Sequence, residues 1–163
     1  IDRMQQYLGR QIAIENVCAY IEFDQSDFDE ASFLSEIVAR TQCDLILDIN
    51  NLMVNARNGH VSNLENFVDR YVGSLDHSAI TEIHLAGSTP VGEEELLIDD
   101  HACPVSEAGW QTYERALNAI GPKPTLIEWD NNLPSWRELL GEATKARKAQ
   151  RRVLGREHSH ESL

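Results

Sequence analysis

Short apolar runs alternate with amphipathic segments along nearly the whole chain, and this alternation limits the folds open to it. The apolar runs predict strands at 11–17, 44–50, 79–87 and 123–130. Residues at helical spacing predict helices at 27–42, 63–75, 106–121 and 133–154. Strands that are apolar throughout and separated by helices are typical of a parallel sheet covered by helices.

The chain length decides how much of such a fold can be present. Four strand–helix units and a short extended insert at 94–99 occupy the 163 residues, whereas a closed (β/α)8 barrel needs about 250. The sequence therefore predicts an open α/β sheet or about half of a barrel, with a domain at 1–154 and a disordered polar tail at 155–163. Because half a barrel leaves two sheet edges unpaired, we expect it to pair, swap or associate with itself.

The charge distribution excludes one class of partner. The chain has 27 acidic and 14 basic residues, and 145–163 holds six of the basic ones but only two acids, which leaves 25 acids against 8 bases, or −17, in the rest. Such a surface repels phosphate backbones, so nucleic acid is not expected as a partner. No apolar run reaches the roughly 18 residues of a membrane span. Three cysteines without CxxC spacing favour a reducing compartment, and we expect the cytoplasm.

Each predicted strand carries an ionisable side chain directly after its apolar residues. These side chains are Glu15, Asp48, His84 and Glu128. Asp99 and His101 lie on the connection before the last strand. In parallel α/β folds the ligand binds beyond the carboxyl ends of the strands, so these groups are expected to meet at one edge of the sheet.

This set of side chains predicts a metal centre. A carboxylate near a core must be paired, protonated or metal-bound, and Arg57 is the only arginine close to these motifs. Carboxylates and imidazoles without a thiolate suit iron, manganese or zinc. Six candidate ligands favour a multinuclear centre, and Asp99 and His101 would reach the same ion if their segment is extended.

Simpler interpretations exist for each residue taken alone. A strand-end acid is most often the N-cap of the following helix, and a single histidine is more often a hydrogen-bonding residue than a ligand. Their coincidence at four successive strand exits favours the metal centre. Cys18 and Cys103 lie close enough to the motifs to stay open as site residues, and Cys43 is predicted to be buried near a strand start.

Asparagines follow Asp48 closely in "LILDINNLMVNARNG". Asn51 is predicted to be a weaker second ligand or a hydrogen-bond donor to a ligand. Asn50, Asn55 and Asn58 are predicted to tie down a loop that forms a wall of the site.

Several of these segments together resemble one protein family. They are "IAIENVCAYIEF", "LILDINNLMVNARNG", "EIHLAG", "LLIDDHACPV" and "PTLIEWDNNLP", in this order between about residues 11 and 145. Their order and content resemble the multinuclear non-haem iron-dependent oxidases of bacteria. The resemblance implies a xylose isomerase-like (β/α)8 TIM barrel, of which this chain would hold the C-terminal half, about strands 4 to 8, as a fragment of a longer protein.

The resemblance also implies an activity and a set of metal ligands. Family members use two or three irons and dioxygen to modify cysteines in ribosomally made precursor peptides, and a partner protein presents the peptide. By this resemblance Glu15 bridges metals, and Asp48, His84 and Glu128 complete one catalytic site. Asp99 and His101 then serve another ion, and Asn51 stands where related barrels carry a histidine ligand.

The sequence also departs from the family pattern. Two histidine ligands from earlier strands have no counterpart here, and Ser88 follows "HLAG" where many relatives have histidine. Cys18 and Cys103 stand where Ser, Asp or Ala is expected. The alternatives are a hydrolase or sugar isomerase of the same barrel type that uses zinc or manganese, or a non-catalytic fragment, and the isolated chain is expected to be inactive.

Overall fold

The computed structural model describes residues 1–21, 25–93 and 95–160, with side chains up to residue 155. In these residues the strands are β1 (Ala13–Glu15), β2 (Asp44–Asp48), β3 (Ile80–Leu85), β4 (Thr89–Val91), β5 (Leu96–Ile98) and β6 (Thr125–Ile127). The helices are α1 (Asp2–Leu8), α2 (Glu30–Thr41), α3 (Ile49–Asn58), α4 (Leu64–Gly73), α5 (Glu107–Ile120) and α6 (Trp136–His160).

The predicted strands form one parallel sheet in the order β1-β2-β3-β6. The prediction of a parallel α/β fold is therefore confirmed, and β1 and β6 are the edges of this sheet as described. The insert predicted at 94–99 does not join the sheet. Its residues 96–98 form β5, which pairs with β4 as an antiparallel hairpin, and Glu94 lies outside the described residues.

Alternation along β2 separates the core from the site. Leu45 and Leu47 are each 1% exposed and pack with residues of the covering helices, and burying one such side chain contributes about 1.5–3 kcal/mol. Ile46 and Asp48 point to the opposite face. The register pairs Glu15 with Ile46 and Asp48 with His84, so the ionisable residues share the face that the helices leave uncovered.

Helices α1 and α3 were not expected from the sequence. Helix α3 begins at Ile49, directly after β2, and not after a loop. Asn50, Asn55 and Asn58, which were predicted to tie down a loop, therefore make their contacts from a helix. The asparagine-rich segment still carries buried apolar residues: Ile49, Leu52 and Val54 are fully buried, the first two in the hydrophobic core.

The remaining differences concern element ends. Strands β1 and β6 are shorter than the predicted 11–17 and 123–130. Helix α6 continues to His160, six residues past the predicted end at 154, and 161–163 lie outside the described residues. The boundary between a domain and a tail stays a prediction. Among the described helices none is long and apolar enough to cross a membrane.

Candidate metal centre

Four of the predicted site residues meet at the carboxyl edge of the sheet. Glu15, Asp48, His84 and Glu128, here called the four-residue cluster, each offer a ligand atom, and these atoms all lie within 4.8 Å of one another. The Nδ1 atom of His84 lies 3.3 Å from a carboxylate oxygen of Glu15 and 3.3 Å from one of Glu128. The parallel register produces this meeting, because each residue lies at or next to the carboxyl end of its own strand.

Asp48 has two roles, one for each carboxylate oxygen. Its Oδ1 accepts a hydrogen bond of 2.6 Å from the backbone N–H of Asn51 and caps α3. Its Oδ2 is buried and has no hydrogen-bond partner among the described residues. The interpretation of Asp48 as a helix cap therefore holds for one oxygen, and the other is left for a cation.

Asn16 fixes the end of β1 against the end of β2, and the sequence reasoning missed it. Its side chain donates to the carbonyl of Asp48 at 2.9 Å and accepts from the N–H of Asp48 at 2.8 Å. Asn16 is 1% exposed. Its position directly after Glu15 was the available signal. The pair of bonds holds Glu15 and Asp48 in a fixed relation.

Two carboxyl groups of the cluster, those of Asp48 and Glu128, bind protons more tightly than isolated carboxyl groups do. Burial raises the pKa of Asp48 to about 8, the N–H of Asn51 opposes this, and repulsion by Glu15, Asp99 and Glu128 adds to it. Burial also raises the pKa of Glu128, against the attraction of two neighbouring imidazoles. A divalent cation would relieve both the burial cost and the repulsion.

The donor atoms fit a metal ion. Nδ1 of His84 is buried without a hydrogen-bond partner in the described part of the chain, as is Oδ2 of Asp48. Two ligand atoms that bond one ion at about 2.0–2.2 Å lie roughly 3–3.6 Å apart, which matches the 3.3 Å separations around His84. Three carboxylates and one imidazole suit iron, manganese or zinc.

Asp99 and His101 form a second pair beside the cluster. Nε2 of His101 lies 2.8 Å from Oδ1 of Asp99, yet it is buried and makes no aligned hydrogen bond with any described residue. Their segment is not extended as predicted, since His101 has a left-handed backbone with φ 49°. The side chains still meet, and Asn50 donates to Oδ1 of Asp99 at 2.6 Å.

Glu128 connects the pair with the cluster. One of its oxygens lies 3.3 Å from Nδ1 of His84, and the other lies 3.7 Å from Nδ1 of His101. Burial alone would lower the pKa of His101, but the carboxylates around it, Asp99 first, outweigh burial and raise this pKa. The imidazoles and carboxylates therefore form one continuous polar region.

The asparagines of α3 hold the loops that carry site residues. Asn51, Asn55 and Asn58 share a helix face by their spacing. Asn55 bonds the backbone of Val17 and Ala19, and Asn58 bonds both backbone groups of Leu97. These contacts explain the excess of asparagine after β2.

Both polar atoms of the Asn51 side chain make a hydrogen bond. Its Nδ2 donates to the carbonyl of Asn16 at 3.0 Å, and its Oδ1 accepts from the thiol of Cys18 at 2.8 Å. A role of Asn51 as a metal ligand stays a prediction.

Of the two cysteines left open, Cys18 lies in the wall of the site. Burial raises the pKa of its thiol to about 12, and the charge of Asp99 adds to this. Cys103 lies farther along, where its Sγ contacts the carbonyl of Ser88 at 3.5 Å. Cys43 is 1% exposed, as predicted.

Comparison with known proteins identifies the family. The sequence profile of the RiPP precursor modification enzymes MbnB/TglH/ChrH matches residues 1–151. The chain belongs to this family. It is 43% identical over 147 residues to a UPF0276 protein of Caulobacter sp. (strain K31), which covers 90% of this chain and 51% of that protein. A UPF0276 protein of Bordetella bronchiseptica is 44% identical over 149 residues, 89% of this chain and 50% of the relative.

The fold comparison agrees with the sheet described above. A xylose isomerase domain-containing protein from Salmonella typhimurium LT2 superposes with a TM-score of 0.61 at 18% identity, over 92% of this chain and 55% of that one. The expected xylose isomerase-like TIM-barrel architecture is therefore confirmed, as a partial barrel. The chain spans about half the length of the relatives it matches.

Proposed function

We propose that this MbnB/TglH/ChrH family chain forms the metal-binding face of an iron-dependent oxidase that modifies cysteines of a ribosomally made precursor peptide. The observation that carries the proposal is the four-residue cluster, with its unpartnered donor atoms on Asp48 and His84. Family membership supports the precursor peptide as substrate. The proposal includes two or three irons, dioxygen as oxidant and a partner protein that presents the peptide.

The four residues of the cluster differ in how deeply they are buried, and we infer different roles in metal binding from this difference. Asp48 is fully buried, whereas the side chains of His84, Glu128 and Glu15 are 10%, 22% and 35% exposed. Asp48 would therefore hold the ion from the core side, and Glu15 and Glu128 would complete the ligand set from the two edge strands β1 and β6. Bound iron would supply dioxygen activation and a binding position for the substrate thiolate.

The protein's own groups also set the charge of the site. The net charge of the chain is −13, and the carboxylates around the cluster favour cations over anions. The second pair, Asp99 and His101, would hold a further ion beside the first. The three cysteines are free thiols, which supports our placing of the reaction in the reducing cytoplasm.

Metal analysis of the anaerobically purified protein tests this proposal. We expect iron in the wild-type protein and its loss in Glu15→Gln and His84→Ala, because each change removes a ligand of the cluster. His60→Ala and Glu36→Gln are matched controls, since His60 is exposed after α3 and Glu36 pairs with Arg40 on α2. Both controls should retain the iron.

The reaction is tested with a cysteine-containing precursor peptide and dioxygen. We expect a mass change of the peptide that requires iron and is lost in Glu15→Gln when the chain is part of a full-length family protein, and no reaction with the isolated chain. An active protein that contains stoichiometric zinc and no iron would contradict the proposal and favour a hydrolase or isomerase of the same fold.

A further inference from the structure

Asp130 lies within hydrogen-bond distance of Nδ1 of His101, a proposed ligand, in a position that the sequence did not indicate. Its Oδ2 is 3.1 Å from Nδ1 of His101. The other ring nitrogen, Nε2, is buried, lies 2.8 Å from Oδ1 of Asp99, and has no aligned hydrogen bond to any residue that the structure describes. The imidazole therefore has one bonded side and one side turned toward Asp99.

The backbone around Asp130 holds the same histidine. The N–H groups of Asp130 and Asn131 donate to the carbonyl of His101 at 3.0 and 3.1 Å. The side chain of Asn131 donates to the carbonyl of Asp100 at 2.6 Å. His101 has a left-handed backbone with φ 49°, which is costly for a residue with a side chain and persists only where its surroundings enforce it. These bonds enforce it.

Asp130 is the acceptor that can set the orientation of the ring. The nearest oxygen of Glu128 to Nδ1 of His101 is 3.7 Å away, beyond hydrogen-bond range, whereas Asp130 is within it. A histidine that binds a metal through one nitrogen commonly donates its other N–H to a carboxylate, which fixes the tautomer and the ring orientation.

We propose that Asp130 is a positioning residue for the second ion: it accepts the Nδ1 proton of His101, so that Nε2 is presented with its lone pair toward an ion shared with Asp99. This inference rests on the proposed function, because it takes His101 to be a ligand. It adds a residue to the site through its effect on His101, without direct contact with the ion.

Anaerobic titration of the metal-free purified protein with Fe(II) alone tests the proposal. His101→Ala defines the ion that depends on this pair. Asp130→Ala is expected to lower the affinity for that ion by about 10–100-fold, with no change in the affinity of the four-residue cluster. The affinity of Asp130→Asn should lie between those of the wild type and Asp130→Ala, because its amide oxygen can still accept from Nδ1.

Asp100→Ala is the matched control. It removes the same charge from the residue next to His101, but the carboxylate of Asp100 contacts the N–H of Ala102 and not the imidazole. It should therefore leave the affinity unchanged. An equal loss in Asp100→Ala and Asp130→Ala would overturn the proposal, because it would show a general effect of charge.

The tautomer gives a readout that a purely structural role would not move. Nitrogen-15 spectra of the metal-free protein in alkaline buffer should show His101 protonated at Nδ1 in the wild type and in Asp130→Asn, and a shift toward Nε2 protonation in Asp130→Ala. The side chain of Asp130 is 72% exposed, and the backbone donors remain in every variant, so the fold should persist. Asp130→Leu keeps the branched shape and the number of heavy atoms, lacks an acceptor, and should reproduce the alanine result.

Two outcomes separate the hypotheses. A wild-type protein that binds no Fe(II) contradicts the proposed function itself. If His101→Ala loses an ion that the wild type binds, but Asp130→Ala and Asp130→Leu keep the wild-type affinity and the wild-type tautomer of His101, only the role of Asp130 is contradicted.

Discussion

Replacing Asp48 by asparagine should stabilise the metal-free protein while it removes a proposed metal ligand. The carboxyl of Asp48 has a pKa of about 8 in the folded protein and an ordinary value of 3.8 when unfolded. Because the folded pKa is raised, the contribution of this group to stability is complete below pH 3.8 and is lost as the pH rises toward 8.

The size of the effect follows from these two values. At pH 7 the folded protein keeps Asp48 protonated, at a cost of about 4 kcal/mol relative to the ionised group in the unfolded chain, and at pH 5 the cost is about 2 kcal/mol. Asparagine needs no proton and caps a helix as well as aspartate. Asp48→Asn should therefore raise the free energy of unfolding by amounts on this order, and more at pH 7 than at pH 5.

Urea unfolding of EDTA-treated protein, followed by circular dichroism at both pH values, measures this difference. Asp44→Asn is the control, because Asp44 begins the same strand and is partly exposed. With Fe(II) at 100 times its dissociation constant the wild type should gain about 2.7 kcal/mol, and Asp48→Asn should gain far less. A metal-free Asp48→Asn protein that is no more stable than the wild type at pH 7 would refute the reasoning.

Three other changes test separate contacts. Gly87→Ala places a Cβ 2.1 Å from the carbonyl oxygen of Cys103, so it should displace the segment that carries the second pair and weaken only that ion in an Fe(II) titration; equal affinity at both positions would contradict this. Cys18, with a thiol pKa of about 12, should be alkylated at pH 8 about a thousandfold more slowly than an ordinary thiol, as followed by mass spectrometry, and a rate equal to that of the denatured chain would be the opposite result. Asn16→Ala removes two buried hydrogen bonds to the backbone of Asp48 and should cost about 1–3 kcal/mol in urea unfolding; an unchanged midpoint would show that the pair of bonds is not needed.

The strand exits could be predicted from the sequence because two independent patterns agree there. Apolar runs predict strands, and parallel strands bring their carboxyl ends to one edge. Glu15, Asp48, His84 and Glu128 therefore meet as expected. The pairing of Asp99 with His101 was also expected, although a left-handed backbone and not an extended one brings them together.

Helix α3 could not be predicted as readily, because its asparagines favour turns when taken one at a time. Tertiary contacts override that preference. Asn51, Asn55 and Asn58 lie on one face and bond the loops that pass beside the helix. Their spacing of four and three residues was the signal for a helix.

The contacts of Asn16 and Asp130 depend on long-range geometry. Asn16 bonds a strand end 32 residues away, and Asp130 bonds an imidazole 29 residues away. No pattern in a single sequence indicates that residues so far apart along the chain form a hydrogen bond. Residues that hold the candidate ligands in place therefore became visible only in the structure, whereas the candidate ligands could be picked out from their types and positions.

Anomalous diffraction at the iron absorption edge, from crystals grown anaerobically, tests whether the four-residue cluster binds iron. We expect an iron peak about 2.0–2.3 Å from donor atoms of Glu15, Asp48, His84 and Glu128, and a second peak beside Asp99 and His101. Crystals of iron-loaded protein with no anomalous peak among the four-residue cluster would contradict it.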